Sequence, residues 1–339
     1  MRSYIEKVLS REDLTFDEAY RVMHNIMSGE VNNARLAGIL IALKAKGECA
    51  AEIAGFAKAM REKSIKVEVT AKNVIDVCGT GGDDSGTFNI STAAAFVVAG
   101  AGVAVAKHGN KSISSRSGSA DVLTEMGVNI NLSPEATKQA LDEIGIGFLF
   151  APRYHPAMKY AAVVREELGM KTAFNLLGPL TNPAGTKRQL IGVYNNKSAK
   201  LLAEAARYLD MEHVCFICTG DKRDEITLDE PTQVYEYRAG AELLNFQLTN
   251  DSFGYAKVAI SELKGDTPEY NARLLISILE NKSTGAKRDV VLANSALGLY
   301  CAGLSTNLKE CLAAAEDSLV SGKALQKFQL LKKFGEIIQ

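Results

Sequence analysis

The pattern of this chain changes once, near residue 66, and that change limits its fold more than any other feature. Before it, apolar residues recur only at helical spacing; after it, short apolar runs rich in β-branched residues alternate with helical stretches. Thr15 and Glu18 have capping-box spacing ahead of FDEAYRVMHNIMSG. The run NNARLAGILIALKAKG stops at Gly47, and ECAAEIAGFAKAMREKS reads as a further helix. VEVTAKNVIDVCGTGG then reads as a strand running into a glycine loop. A helix at about 91–99, the strand VAVAK and the helix ADVLTEMG follow. In SPEATKQALDEIG, Ser133 is the expected N-cap and Pro134 the first helical residue. The strand IGFLFAP precedes a helix from about Pro156 to Leu168 and an irregular run, NLLGPLTNPAG. Alternation resumes with QLIGVYN, SAKLLAEAARYLD and HVCFICTG. TQVYEYR is expected as an antiparallel hairpin or edge strand. Helices near 267–281, 287–303 and 306–319, and one after Gly322, close the chain. The expected fold is α/β: a small N-terminal all-helical domain, residues 1–68, and a larger α/β domain, residues 69–339, with a mostly parallel sheet covered by helices.

Composition excludes several classes. The 339 residues are 47% hydrophobic and 23% charged, with a net charge of −1. That balance gives no overall pull on nucleic acid or an anionic membrane, so neither is expected as a partner. The six cysteines are scattered and read as free thiols of a reducing cytoplasm. MRSYIEKVLSREDL mixes charges throughout and does not read as a secretory signal. Residues 86–106 are uncharged, but Thr87, Asn89, Ser91, Thr92, Gly100 and Gly102 favour a helix, a turn and a buried strand over a membrane span.

The densest chemical feature is the run from Asp76 to Thr87, with Gly79, Gly81, Gly82 and Gly86 directly after a strand. Uncovered amides there, with the N-terminus of the next helix near Ser91, suit a phosphate or diphosphate. A mononucleotide loop is excluded because no Lys follows the glycines. A dinucleotide fingerprint is excluded because Asp84 stands at its third glycine, and no acidic residue occurs between Asp84 and Asp121. Lys107-His-Gly-Asn110-Lys111 lies at the next strand end, where Lys107 could neutralise phosphate and Asn110 present an amide. Ser112, Ser114, Ser115, Ser117 and Ser119 follow, with Ser119 a candidate helix cap. Asp224-Glu225, beyond the strand HVCFICTG, are suited to hold Mg²⁺ against a pyrophosphate. Arg165, on a helix, could grip a carboxylate in bidentate fashion. Cys215 and Cys218 face opposite sides of a strand and do not make a metal pair; His24 and His213 read as structural.

Several motifs occur together and in order: Gly79-Thr-Gly-Gly-Asp83, Asn89-Ile-Ser-Thr92, Lys107-His-Gly-Asn110, Ser117-Gly-Ser-Ala-Asp121, His155-Pro-Ala-Met-Lys159 and Phe174-Asn-Leu-Leu-Gly-Pro-Leu-Thr-Asn-Pro183. Over nearly the whole chain this set resembles the anthranilate phosphoribosyltransferases of tryptophan biosynthesis. The resemblance implies anthranilate and phosphoribosyl pyrophosphate as substrates, Mg²⁺ as cofactor, and a cytoplasmic homodimer built through the helical domain, with helices from about 155–185 joining that domain. By position it implies Gly79, Gly82, Asp83, Thr87, Asn89, Ile90, Ser91, Thr92, Lys107, Ser115 and Ser119 for phosphoribosyl pyrophosphate. It implies Gly79, Asn110 and Arg165 for anthranilate, and Ser91, Asp224 and Glu225 for the metal. His108 is a candidate to take the amine proton, or else shapes the pocket. Two departures stand out: Lys222-Arg223 replaces the family's frequent Gly-Leu before the acid pair, and Lys171 stands where Arg is common.

Two other readings compete. A pyrimidine-nucleoside phosphorylase would carry a K-x-S-T-G-G-type motif, where this chain has Cys78-Gly-Thr-Gly-Gly-Asp83. A non-catalytic nucleic-acid-binding paralogue would show a basic surface and a decayed acid pair; the net charge of −1 and Asp224-Glu225 oppose it.

Overall fold

The computed structural model describes residues 1–83, 85–112 and 116–338. Four helices open the chain: α1 (Arg2–Leu9), α2 (Phe16–Met27), α3 (Asn33–Lys46) and α4 (Ala50–Lys63). The capping box of α2 is formed: Thr15 N donates to Glu18 at 2.8 Å, and Glu18 N donates to the Thr15 hydroxyl at 3.2 Å. Gly47 ends α3 at φ +90°, which a residue with a side chain rarely adopts.

The rest runs β1 (Ile75–Gly79), α5 (Ile90–Gly100), β2 (Val105–Gly109), α6 (Ser119–Glu125), α7 (Pro134–Glu143), β3 (Ile146–Phe150), α8 (Ala151–Tyr154), α9 (Lys159–Leu168), α10 (Phe174–Leu177), β4 (Arg188–Gly192), α11 (Asn196–Ala206), β5 (His213–Thr219), β6 (Thr232–Arg238), β7 (Leu244–Leu248), α12 (Asn250–Phe253), α13 (Pro268–Leu279), α14 (Ala286–Ala302), α15 (Leu308–Val320) and α16 (Lys323–Ile337). The strands form one sheet in the order β3-β2-β1-β4-β5-β6-β7. The first five in that order are parallel; β6 and β7 add an antiparallel edge. The order reverses between β1 and β4, and ligands of such sheets bind at the carboxyl ends beside that switch point. The paired residues there are Gly79 and Gly192.

Each sheet face has its own core. One is filled from α5 and α13–α16, the other from α11 together with α1–α4, α9 and α10. Cys215 and Cys218 fall in different cores, as strand alternation requires. The helical bundle thus continues the packing of one sheet face, and α9 lies against α2 and α3. No helix among the described residues is long and apolar enough to cross a membrane; the uncharged stretch holds α5, buried against α14 and α16.

Three local expectations change. Residues 66–69 are not a strand; Val67 N instead donates to Pro183 O, so tertiary contact outweighs the β-branched run. The run after Ala173 is α10 followed by a 3₁₀ turn, Gly178–Thr181, rather than irregular chain. Gly118, not Ser119, is the N-cap of α6, because the Asp121 carboxylate accepts from Gly118 N at 2.9 Å and Ser119 becomes the first helical residue.

The helical bundle depends on a close approach at Gly55 of α4, where a Cβ would lie 2.4 Å from Phe16 O and 2.8 Å from Tyr20 N. Gly55→Ala is therefore expected to destabilise the protein by about 2 kcal/mol. Urea unfolding followed by circular dichroism measures it; an unchanged midpoint would contradict the close packing of α2 on α4.

Candidate active site

The glycine loop leaves the carboxyl end of β1 and needs left-handed backbone, with Gly81 at φ +63° and Gly82 at φ +71°. The turn after β5 approaches from the other side. A Cβ on Gly192 would lie 1.5 Å from Asp224 O, and one on Gly79 would lie 2.5 Å from Asp224 Oδ2. Both strand-end glycines are therefore required for the acid pair to come down onto the sheet.

The amides expected to be bare are not all bare. Gly81 N donates to Asp224 Oδ2 at 2.9 Å, and Ser91 N, in the first turn of α5, donates to Glu225 Oε1 at 3.0 Å. The acid pair thus sits on two donors of the expected anion site. Thr87 Oγ1 also reaches Glu225, at 3.4 Å. Burial, then the neighbouring Asp83, pushes the Asp224 carboxyl up to about 7; burial, then Asp224, pushes Glu225 well above the usual carboxylate range. Among the described residues neither carboxylate makes an ion pair, the nearest positive charge on Glu225 being the Lys107 ammonium, and an all-oxygen set with the Ser91 hydroxyl suits Mg²⁺. Among the described residues, His/Cys/Asp/Glu triples converge only at His213, Cys215 and Cys301 and at Asp13, Cys49 and Glu52. In the first, His213 Nε2 is hydrogen-bonded to Glu236 at 2.8 Å; in the second, Glu52 accepts from Leu14 N and Cys49 N. Asp224 and Glu225, half-buried, offer two carboxylates, which suits an ion that retains waters and takes substrate oxygens.

The other expected residues fall as follows. Gly82 O accepts from Lys171 Nζ, and that ammonium lies 4.3 Å from the Tyr194 ring centroid. Asp83 accepts from Ser85 N at 3.2 Å. Asn89 donates to Ser117 O at 3.0 Å, and its Oδ1 accepts from Asn271 at 3.1 Å. Ile90 and Thr92 are buried in α5, and the Thr92 hydroxyl has no hydrogen-bond partner among the described residues. Lys107, 4% exposed, does not project freely: its ammonium donates to Val77 O at 2.7 Å and lies 3.4 Å from Ser91 Oγ, beneath the loop. Asn110 is exposed, and Ser119 donates to Asn110 O at 3.3 Å. Ser115 lies outside the described residues. Arg165 is half-buried on α9, its guanidinium 5.1 Å from the Phe174 ring centroid; burial lowers its pKa, and among the described residues it makes no ion pair.

His108 is placed as a weak base. It is buried, its ring centroid 5.2 Å from that of His155, and burial followed by His155 lowers its pKa to about 3. Burial lowers His155 to about 4.

Sequence reasoning missed a buried hub. Asp76 accepts from His108 N at 3.2 Å and from Asn182 Nδ2 at 2.8 Å; the same Asn182 nitrogen donates to Ala106 O at 2.8 Å. This ties β1 and β2 to the segment after α10. An aspartate inside the otherwise apolar IDVCG was the available signal.

Comparison with known proteins gives this arrangement its context. The glycosyl transferase family's helical bundle domain matches residues 2–64, and its a/b domain matches residues 71–325. Anthranilate phosphoribosyltransferase of Desulfatibacillum aliphaticivorans is 45% identical over 97% of each chain. The chain belongs to the anthranilate phosphoribosyltransferase family. The crystal structure of that enzyme from Thermus thermophilus matches with a TM-score of 0.92 at 41% identity, covering 98% of this chain and 99% of that one. The Saccharomyces cerevisiae enzyme in complex with PRPP and Mg matches at 0.90 and 28% identity, covering 99% and 97%.

The buried imidazoles set a pH limit. Their folded pKa values lie below the ordinary 6.5, so the stability from keeping them neutral is present above about 6.5 and drains away as pH falls towards 4. His108→Gln and His155→Gln are each expected to flatten the fall in melting temperature between pH 6.5 and 4. Unchanged slopes in both variants would show that the rings are not held neutral.

Proposed function

We propose that this chain transfers the 5-phosphoribosyl group of phosphoribosyl pyrophosphate to the amine of anthranilate, giving N-(5-phosphoribosyl)anthranilate and pyrophosphate in tryptophan biosynthesis. The observation that carries this reading is the glycine loop at the sheet's switch point facing Asp224-Glu225, in a chain similar to anthranilate phosphoribosyltransferases along its whole length.

Gly79, Gly82, Asp83, Thr87, Asn89, Ile90, Ser91, Thr92 and Ser119 form the wall for phosphoribosyl pyrophosphate, Ser115 being assigned by resemblance alone. When the diphosphate takes the amides of Gly81 and Ser91, Asp224 and Glu225 are freed as oxygen donors. With the Ser91 hydroxyl they would hold Mg²⁺, which when bound supplies positive charge to the leaving diphosphate. The bond from the anomeric carbon to the diphosphate oxygen breaks, the bond to the amine nitrogen forms, and the ammonium so formed releases its proton to the departing pyrophosphate or to water. Once the carboxylates have moved off them, the Gly81 and Ser91 amides, held by the backbone of the loop and of α5, would donate to the departing charge. Lys107, under the loop, adds a positive charge from below. The aromatic amine is neutral near pH 7 and needs no strong base, consistent with His108 being a poor one. Arg165, half-buried without an acid partner, is fitted to the anthranilate carboxylate, with Gly79 and Asn110 bordering the same space.

The same reading divides the chain into residues 1–68 with the 155–185 helices, and the remainder of 69–339, in a cytoplasmic homodimer. Leu9 of α1, Ile41 of α3, and Tyr160 and Val163 of α9 are exposed apolar residues on the bundle and its attached helix, which favours a second copy there. Ile41→Asp is expected to shift sedimentation from dimer to monomer; an unchanged species would place the contact elsewhere.

Loss of anthranilate fluorescence with phosphoribosyl pyrophosphate, dependent on Mg²⁺, tests the activity itself; no loss under either condition overturns it. Arg165→Ala is expected to raise the anthranilate KM about tenfold or more while changing the other substrate's KM far less. Equal rises in both would remove Arg165 from the anthranilate site.

A further inference from the structure

The departure Lys222-Arg223 stands directly before the acid pair, and the structure shows what Arg223 does. The residue is 5% exposed. Its Nη2 reaches both oxygens of Asp229, at 2.6 and 2.5 Å, and Glu230 Oε1 at 3.2 Å. Its Nε donates to Thr227 Oγ1 at 3.1 Å, and that hydroxyl donates to Asp229 at 2.7 Å. The backbone is closed by the same residue: Thr219 N donates to Arg223 O at 2.9 Å, and Arg223 N donates to Thr219 O at 3.1 Å. One arginine therefore joins the turn before Asp224-Glu225 to the turn after them.

That bracket has something to hold. Asp221 and Leu228 lie at φ +56° and +61°, conformations that residues with side chains rarely adopt and that persist only where surrounding contacts enforce them. Thr219 Oγ1 fixes Glu225 O at 2.7 Å, and Asn294 brackets Ile226, accepting from its N at 3.1 Å and donating to its O at 2.9 Å. The backbone of the acid pair is thereby held on both sides while its two carboxylates crowd each other and Asp83.

We propose that Arg223 is a positioning residue, whose buried fork on Thr227, Asp229 and Glu230 fixes Asp224 and Glu225 in the place where they hold the divalent metal. It touches neither metal nor substrate; it sets the geometry of the residues that do. This rests on the reading of the acid pair as the metal-holding group. Lys cannot reproduce the bond pattern, because its ammonium lacks the planar fork.

The test titrates Mn²⁺ as an EPR-visible probe into the full-length protein with phosphoribosyl pyrophosphate present and anthranilate omitted, correcting for metal held by the sugar diphosphate alone. Arg223→Leu and Asp229→Asn are expected to weaken metal binding about tenfold or more, the effect typical of removing support behind a metal ligand. Arg223→Lys is expected to recover only part of that loss. In turnover assays the Arg223→Leu defect is expected to shrink as Mg²⁺ is raised, with kcat approaching the parent value. Circular dichroism establishes that each variant is folded; if Arg223→Leu is not, Asp229→Asn and Arg223→Lys carry the test. Metal binding within twofold of the parent in the folded variants, while Asp224→Asn abolishes it, overturns the role of Arg223. If Asp224→Asn and Glu225→Gln leave binding unchanged, the metal reading fails first and this inference falls with it.

Discussion

Two carboxylates seated on main-chain amides organise this site. Asp224 takes the Gly81 amide and Glu225 the Ser91 amide. That seating demands glycine at the paired ends of β1 and β4, because any Cβ at Gly192 would occupy the space of the Asp224 carbonyl. It also fixes the relation between two regions about 140 residues apart in sequence, the glycine loop and the turn after β5. The arrangement is a competition held in balance. The donors that suit a diphosphate are the donors that now satisfy the acids, so an incoming anion and the carboxylates cannot use them together. In the proposed function, a cation held by the freed acids would resolve the conflict by offsetting the charge of both anionic partners.

Asp76 does the corresponding work on the other side of the loop. It joins the end of β2, through His108 N, to Asn182 in the segment following α10. That segment is in turn held by the bundle, where Arg61 of α4 donates to Leu180 O at 2.5 Å. A continuous set of hydrogen bonds thus runs from the helical bundle to the strand end that precedes Asn110. The two cores pack on opposite faces of the same sheet.

Much of this was legible from the residues. The single switch from helical period to strand and helix alternation foretold the architecture, because amphipathic periods are local properties. Thr15-Glu18, Ser133-Pro134 and Gly47 marked helix ends because caps are satisfied within a few residues. The glycine loop was legible for the same reason. What escaped notice depends on distant partners. Asn182 meets Asp76 across 106 positions, and Gly192 matters only because Asp224 arrives beside it. Residues 66–69 have strand-like composition but give Val67 N to Pro183 O instead of a neighbouring strand, a choice no local pattern encodes. The amides of Gly81 and Ser91 look bare in the sequence because nothing around them shows which distant side chain covers them.

In the proposed chemistry, the charge balance around the loop favours a divalent metal at the acid pair. Around the loop, Asp83, Asp224 and Glu225 stand at the centre. Lys107 lies beneath, while Lys171 and Lys264 are exposed and tie themselves to Gly82 O and Ser85 O. The positive charges therefore edge and underlie the site, and the negative ones occupy it. A diphosphate drawn in by the lysines would meet carboxylates at close range, where the low local dielectric magnifies repulsion. Two outcomes relieve that contact: protonation of the acids, which their raised pKa values already favour, or neutralisation by a divalent ion. Protonated acids would give the leaving group hydrogen bonds but little positive charge. A divalent ion held there would supply the charge and favour the ionised acids, so in the proposed function the crowding that makes Asp224-Glu225 costly in isolation would suit them to a substrate that brings its own negative charge.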